Sequence, residues 1–411
     1  MAARPGGLNG FDFAVVGGGV VGATLSLLLA GEGASVAVVD GVARHPARDE
    51  PWDLRTYSLT PASRRVLTAA GAWSRLDHAR VAPYHGMQVW DAARRGRIEF
   101  DAADCGRAVL GYIVEQSNLL DALHAALLAQ PRIARFAGAI DTLTPGTEAL
   151  TLSLNSGQSV IARVVAACDG GESPLRGLAG IESEERESRQ AAIVANVRLA
   201  SPHGGIARQC FLREGPLALL PLPAPDWCSV IWSTNEDAAA RALELDDEAF
   251  RAELGAACGH VLGEVLASSR RLRFPLRWRH ARHYSAGRVV LAGDAAHLMH
   301  PLAGQGMNVG LLDAAALAEV AAHAGPAALR FPRALLERYE RRRRGEVMLM
   351  LEFTDRMNRL FLAEHPVLGW LRSTGLGLTD RLAPIKRLLM AHAMGDRGDL
   401  PAIARPARDA S

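Results

Sequence analysis

Residues 288–314 read RVVLAGDAAHLMHPLAGQGMNVGLLDA, and their succession of strand, glycine turn, loop and helix decides the fold class. Val289, Val290 and Leu291 form a short apolar run of the kind buried in a parallel sheet. Gly293-Asp294 ends that run in a sharp turn. Gly304-Gln305-Gly306 then opens an apolar helix. A helix start leaves unpaired amides and a partial positive charge, so the amides of Gly306, Met307 and Asn308 suit a partly negative group. The carboxylate of Asp294 does not suit a phosphate. It suits sugar-like hydroxyls, whose hydrogen bonds it accepts.

The N-terminus supplies a complementary half. Phe11 to Val16 reads as a strand and runs into Gly17-Gly18-Gly19-Val20-Val21-Gly22, a G-x-G-x-x-G turn, followed by the apolar helix Ala23 to Ala30. A second strand, Ser35 to Val39, ends at Asp40. This is the dinucleotide fingerprint in its required context. Gly17 allows the tight turn, Gly19 admits a pyrophosphate, and Gly22 lets helix and strand pack closely; Val20 and Val21 complete the cofactor turn. Asp40 is placed for an adenosine ribose. The fingerprint alone does not separate NAD from FAD. A flavin dinucleotide meets both halves, with its ribityl hydroxyls, its pyrophosphate and a ring that becomes anionic on reduction.

Composition narrows the class. The chain has 411 residues and a formal net charge of +2, enough for two or three domains and without bulk attraction to nucleic acid. Of 46 basic residues only Lys386 is a lysine, a bias that fits a GC-rich bacterial genome. Five cysteines are widely spaced, with no CxxC and no Cys/His metal spacing. That fits a reducing bacterial cytoplasm, predicts no metal site, and argues against a disulfide-reductase flavoenzyme. The uncharged stretch from Phe13 to Ala30 resembles a targeting segment, but its glycines are spaced as a nucleotide turn and it divides into strand and helix.

The expected fold is α/β: a Rossmann-like FAD-binding domain, an inserted antiparallel β-sheet domain for substrate, and a helical C-terminal region. The FAD-binding parts are expected at 8–80, 108–185 and 275–330. The substrate domain is expected as a hairpin at 81–107 and a sheet at 186–274, and the helical region at 331–411. Within this plan, Thr60 caps a helix from Pro61 to Ala70, and Glu115 to Leu128 reads as helix. Arg271, Arg273, Arg277 and Arg279 alternate with apolar residues, which predicts a strand with one solvated cationic face. Arg341 to Arg344 read as a salt-bridged helix surface. Phe353 to Met394 mixes bulky apolar side chains with arginines, a pattern that suits core packing or contact with a membrane interface.

These residues resemble the class A flavoprotein aromatic hydroxylases of the p-hydroxybenzoate hydroxylase fold, and within them the ubiquinone-biosynthesis hydroxylases. The most specific match is His300 to Asp313, HPLAGQGMNVGLLD. Tyr57-Ser58-Leu59-Thr60, Pro216 to Leu222 and Asp169-Gly170-Gly171-Glu172-Ser173 are also family-like, with Cys168 where alanine is common. The resemblance implies tightly but non-covalently bound FAD, NAD(P)H as a transient reductant and O2 as co-substrate. It places Asp169 and Gly170 near the pyrophosphate, Arg55 and Gln116 beside the flavin, and Pro301 and Leu302 on the flavin face. His297 and His300 flank that loop, with packing as their expected role. The reaction implied is ring hydroxylation, through a flavin hydroperoxide, of a polyprenyl phenol or benzoquinol in ubiquinone biosynthesis. It further implies quinone-biosynthesis protein partners and peripheral attachment to the inner membrane. A hydroxylase of another aromatic substrate, or a non-catalytic flavin-binding subunit, remains as the alternative.

Overall fold

The computed structural model describes residues 10–41, 51–92, 96–299, 305–362, 394–395 and 398–406. Its first sheet is built on the buried strand Phe11–Val16, which pairs in parallel with Val36–Asp40 on one side and Ser159–Ala167 on the other. Ile133–Ala137 and Val289–Leu291 extend it, again in parallel. The central runs Phe13–Val16, Val36–Val39 and Val164–Ala167 are apolar and buried because central parallel strands are covered on both faces. Among the described residues the helices are, in chain order, α1 (Val20–Gly31), α2 (Pro61–Ala69), α3 (Gln116–Ala129), α4 (Pro174–Leu178), α5 (Glu236–Glu244), α6 (Asp247–Ala257), α7 (Gln305–Ala328) and α8 (Arg333–Leu362). Helix α1 packs against α3 and α7 and is buried on nearly every side. Its lack of charge is therefore a demand of the core, not a targeting signal.

The second sheet has nine strands. From Leu272–Ala281 it runs through Ser183–Leu199, Trp227–Asn235 and Pro216–Pro221 to Ile206–Phe211, antiparallel throughout. The hairpin Gly86–Asp91/Arg97–Asp101 then joins in parallel, Ala207 opposite Met87. One face buries Ile193, Leu219 and Val230 against Phe250 and Leu254 of α6. The other faces the first domain, where Ser229 meets Thr56 (Oγ to Oγ, 3.0 Å) and Asn196 Nδ2 donates to the carbonyls of Trp52 and Asp53 at 3.1 and 3.2 Å. A small third sheet, Thr56–Leu59, Gly111–Glu115 and Val81–Tyr84, lies at this seam.

Several sequence expectations need correction. Glu115 ends a strand instead of opening α3. It is buried, bound by Arg80 at 2.6 Å and by the amide of Asp53. The arginine strand does not keep one solvated cationic face: Arg273 and Arg277 are exposed, but Arg279 is buried. Its charge is met by Glu185 at 2.7 Å and Glu172 at 3.3 Å. In the run Arg341 to Arg344, Arg343 is not at the surface; it is 1% exposed and ion-paired with Asp313. The chain is not helical to its end either. Residues 398–406 form a strap with a single 3-10 turn, Ala402–Ala404, whose Ala404 carbonyl accepts from Arg65 at 2.8 Å. Most of the stretch from Phe353 to Met394 lies outside the described residues.

Candidate functional site

The glycine turn after the first strand divides its work among four residues. Gly17 has φ +102°, and a Cβ there would lie 2.3 Å from the carbonyl oxygen of Cys168. A Cβ on Gly22 would lie 2.0 Å from the carbonyl oxygen of Gly17. A Cβ on Gly19 would meet nothing within 4 Å. Gly18, read in sequence only as a spacer, is constrained too: its Cβ would fall 2.3 Å from Oδ2 of Asp40, so the acid closing the second strand lies directly on the turn. Helix α1 starts at Val20 with no side-chain cap and no acid in its first turn. Its leading amides, Val20 and Val21 among them, carry the unsatisfied positive end of the helix. Cys168 packs beneath, its thiol pushed up by burial.

Gly293, with φ +63°, turns the chain out of Val289–Leu291 and exposes Asp294. Asp294 is exposed to solvent, yet desolvation by the protein around it raises its carboxyl above the usual range. It accepts no hydrogen bond among the described residues. Asp169 shows a similar demand. One carboxylate oxygen accepts from the amide of Leu175 at 3.1 Å, while the other is buried without a partner, and burial raises its carboxyl as well. Gly170 beside it has φ +88°. The carboxylate of Asp294 and the free oxygen of Asp169 fit a ligand rich in hydroxyls.

Helix α7 begins at Gln305, so Gly306, Met307 and Asn308 lie in its first turn, at the positive end of the helix. The side chain of Asn308 is committed elsewhere. Its Oδ1 accepts from the amide of Thr60 (2.9 Å) and the hydroxyl of Ser63 (2.7 Å), and its Nδ2 donates to the carbonyl of Ser58 (2.8 Å). Gln116 accepts from the hydroxyl of Tyr57 at 2.8 Å. The guanidinium of Arg55 stacks 4.5 Å from the ring centroid of Phe274 on the second sheet. Pro301, Leu302, Gly304 and His300 lie outside the described residues.

Comparison with known proteins bears on this geometry. Residues 11–354 match the family described as FAD binding domain. Ubiquinone hydroxylase UbiL of Rhodospirillum rubrum is 37% identical over 93% of this chain and 89% of its own length. The 3-demethoxyubiquinol 3-hydroxylase of Escherichia coli is 32% identical over 93% of this chain and 98% of its own. The chain belongs to the ubiquinone hydroxylase family of FAD-dependent monooxygenases. Among solved structures, p-nitrophenol 4-monooxygenase PnpA from Pseudomonas putida DLL-E4 superposes with a TM-score of 0.75, at 20% identity, over 94% of this chain and 98% of that one, a likeness of fold.

The residues present fit the FAD of this hydroxylase family. Open space at Gly19 leaves room for a pyrophosphate, and the uncapped start of α1 faces it. The donor-poor carboxylates of Asp294 and Asp169 suit hydroxyls. The sequence does not disclose a further group beneath the site. Asp313 of α7 is wholly buried; its Oδ2 accepts from the amide of Gly293 at 3.0 Å and from His297 Nε2 at 2.5 Å. His297 is thus held by a buried hydrogen bond to Asp313. The sign of Asp313 was present in the motif that begins at His300, but its partner Arg343 lies in an arginine run whose composition suggests only a solvated helix. Among the described residues no group of three or more His, Cys, Asp and Glu is placed to hold a metal, and no helix is long and apolar enough to cross a membrane.

Proposed function

We propose that this chain hydroxylates the aromatic ring of a polyprenylated phenol or benzoquinol in ubiquinone biosynthesis. One observation carries the choice of substrate. Across the inner face of the second sheet, Val89, Gln209, Ala218, Ile231, Val194 and Leu272 stand in one register row. Ser229 and Asn196, which touch the first domain, share that face. The row holds no charge and a single polar side chain, Gln209. A soluble aromatic carboxylate would need a cationic anchor there; a prenylated ring needs apolar surface.

Bound FAD, reduced by NAD(P)H and then engaging O2, supplies an electrophilic oxygen for such a ring. The protein's share of the work is binding, orientation and the exclusion of water. In this reading the first amides of α1 hold the pyrophosphate, with Asp169 and Gly170 near it, Asp40 holds the adenosine ribose, and Asp294 the hydroxyls of the flavin chain. The amides of Gly306, Met307 and Asn308 oppose the negative charge that builds on the reduced ring. Pro301 and Leu302, with Gly304, are assigned to the flavin face by family likeness, and Gln116 to the flavin chain through its partner Tyr57. Arg55, held on Phe274, is assigned to the boundary between flavin and substrate sheet.

The decisive measurement is NAD(P)H oxidation with and without a prenylated quinone precursor, with the product mass determined. A gain of one oxygen is expected; reductant consumption that ignores the precursor would overturn the substrate assignment. Asp294→Ala is expected to yield a folded, colourless protein, and full flavin absorbance in that variant would remove Asp294 from the site. Peripheral attachment through residues 353–394, to an anionic membrane or a membrane-bound assembly of quinone-biosynthesis proteins, belongs to the same proposal. Vesicle co-sedimentation that falls with salt supports it, and sedimentation equal to that of a chain ending near residue 352 would sink it.

A further inference from the structure

We propose that Arg343 is a positioning residue for the flavin site, acting from α8 through Asp313 on the Gly293–Asp294 turn. The inference rests on the flavin reading of that turn. Asp313 is 0% exposed, Arg343 1% and His297 1%, so the three form a dry charge network. Arg343 Nε donates to Asp313 Oδ1 at 2.7 Å, and its other nitrogens reach Glu346 Oε2 at 2.7 Å and the carbonyl of Val309 at 3.5 Å. The second oxygen of Asp313 binds the amide of Gly293, the residue next to Asp294. One carboxylate therefore ties three things together: the turn that presents Asp294, helix α7, and the strand residue His297.

The charge balance gives the network a direction. Asp313 bears on Asp294 as a like charge and raises its carboxyl, while His297 opposes it. Arg343 is the fixed cation that neutralises Asp313. Breaking a buried pair from one side leaves an uncompensated charge, whereas removing both partners can be nearly neutral. Loss of Arg343 alone takes the fixed cation from Asp313 and leaves it only His297 and the amide of Gly293. That disfavours the ionised Asp294 that accepts ribityl hydroxyls, and it disfavours a ring that becomes anionic on reduction. Loss of both charges restores the balance, because an asparagine at 313 still accepts from the amide of Gly293.

The test compares holoproteins of the wild type, Arg343→Met, Arg343→Lys and the double variant Arg343→Met/Asp313→Asn. The measurements are the FAD dissociation constant, the midpoint potential of the bound flavin and Tm. Arg343→Met is expected to weaken FAD on the order of tenfold and to lower the potential. The double variant is expected to recover most of the potential. Arg343→Lys, which keeps the charge but loses the planar fork, is expected to fall between. A single variant with reduced Tm but wild-type affinity and potential would leave Arg343 a merely structural residue. A double variant with a potential as low as the single would also overturn the proposal. Should Arg343→Met fail to fold, an unchanged FAD affinity in Arg343→Lys overturns it as well. A wild type that binds no FAD fails differently: it removes the flavin reading itself.

Discussion

Gly19 and Gly22 stand three residues apart in one turn and answer to different demands. Gly22 is needed by the protein, because an added methyl would sit 2.0 Å from the carbonyl oxygen of Gly17. Gly19 meets no atom of the described residues within 4 Å of such a methyl, so the smallness it offers is open to a ligand. Gly19→Ala is therefore expected to leave the Tm of the apoprotein unchanged and to weaken FAD. Gly22→Ala is expected to cost about 1–3 kcal/mol of stability and to lose FAD with it. Thermal melts of the apoproteins beside flavin titrations separate the two; a Gly19→Ala protein with wild-type FAD affinity would contradict the pyrophosphate placement. The roles of Gly17, Gly19 and Gly22 were readable because they follow from local spacing. That of Gly18 was not, since it depends on where Asp40 arrives from the next strand.

The strand Leu272–Ala281 shows where reading by element succeeds and stops. Its period of two was visible, and so was its pairing potential. Its exposure was not, because the strand leaves its own layer midway and continues onto the first domain, where Trp278 packs with Val309, Val347 and Leu351. Arg279 and His280 are buried as a result. His280 Nε2 lies 3.1 Å from the hydroxyl of Tyr284. Burial, reinforced by His297 and Arg344 and opposed by Glu184, lowers its pKa from 6.5 to about 4. Between those values the unfolded chain binds a proton that the fold refuses, so stability falls as pH drops from 6.5 towards 4. Replacing His280 with Gln is expected to flatten that part of the Tm profile. An equal slope in both proteins would show that other groups govern acid stability. The helix α7 poses the same limit: its start at Gln305 follows from the glycines, but the use of the Asn308 side chain to hold Thr60, Ser63 and Ser58 joins elements some 250 positions apart, beyond any local pattern.

At the scale of the molecule, two sheets and a set of helices meet at one seam, and the C-terminal strap closes it from behind. Leu400 and Ala404 are buried in the core that holds α1, α2 and α7. Around them the strap is clipped to three helices. The amide of Ala402 donates to Glu319 of α7 at 2.6 Å, the carboxylate of Asp399 takes Arg342 of α8 at 2.9 Å, and Arg65 of α2 holds the carbonyl of Ala404. Glu346, the outer partner of Arg343, receives the amide of Asp399. The strap therefore rests on the same helix segment that steadies Asp313, and among the described residues its hydrogen bonds named above go to α2, α7 and α8. Burial of a leucine side chain contributes roughly 1.5–3 kcal/mol, and Glu319 and Arg342 would each lose a partner. A chain ending at residue 397 is expected to melt several degrees lower than the full chain. It is expected to bind FAD with less than the loss caused by Arg343→Met, because the inner pair survives when only the outer clip is cut. The comparison is made on flavin dissociation constants measured well below both melting transitions. A truncated chain that loses FAD as completely as Arg343→Met would place the strap inside the coupling to the flavin, instead of behind it as a brace.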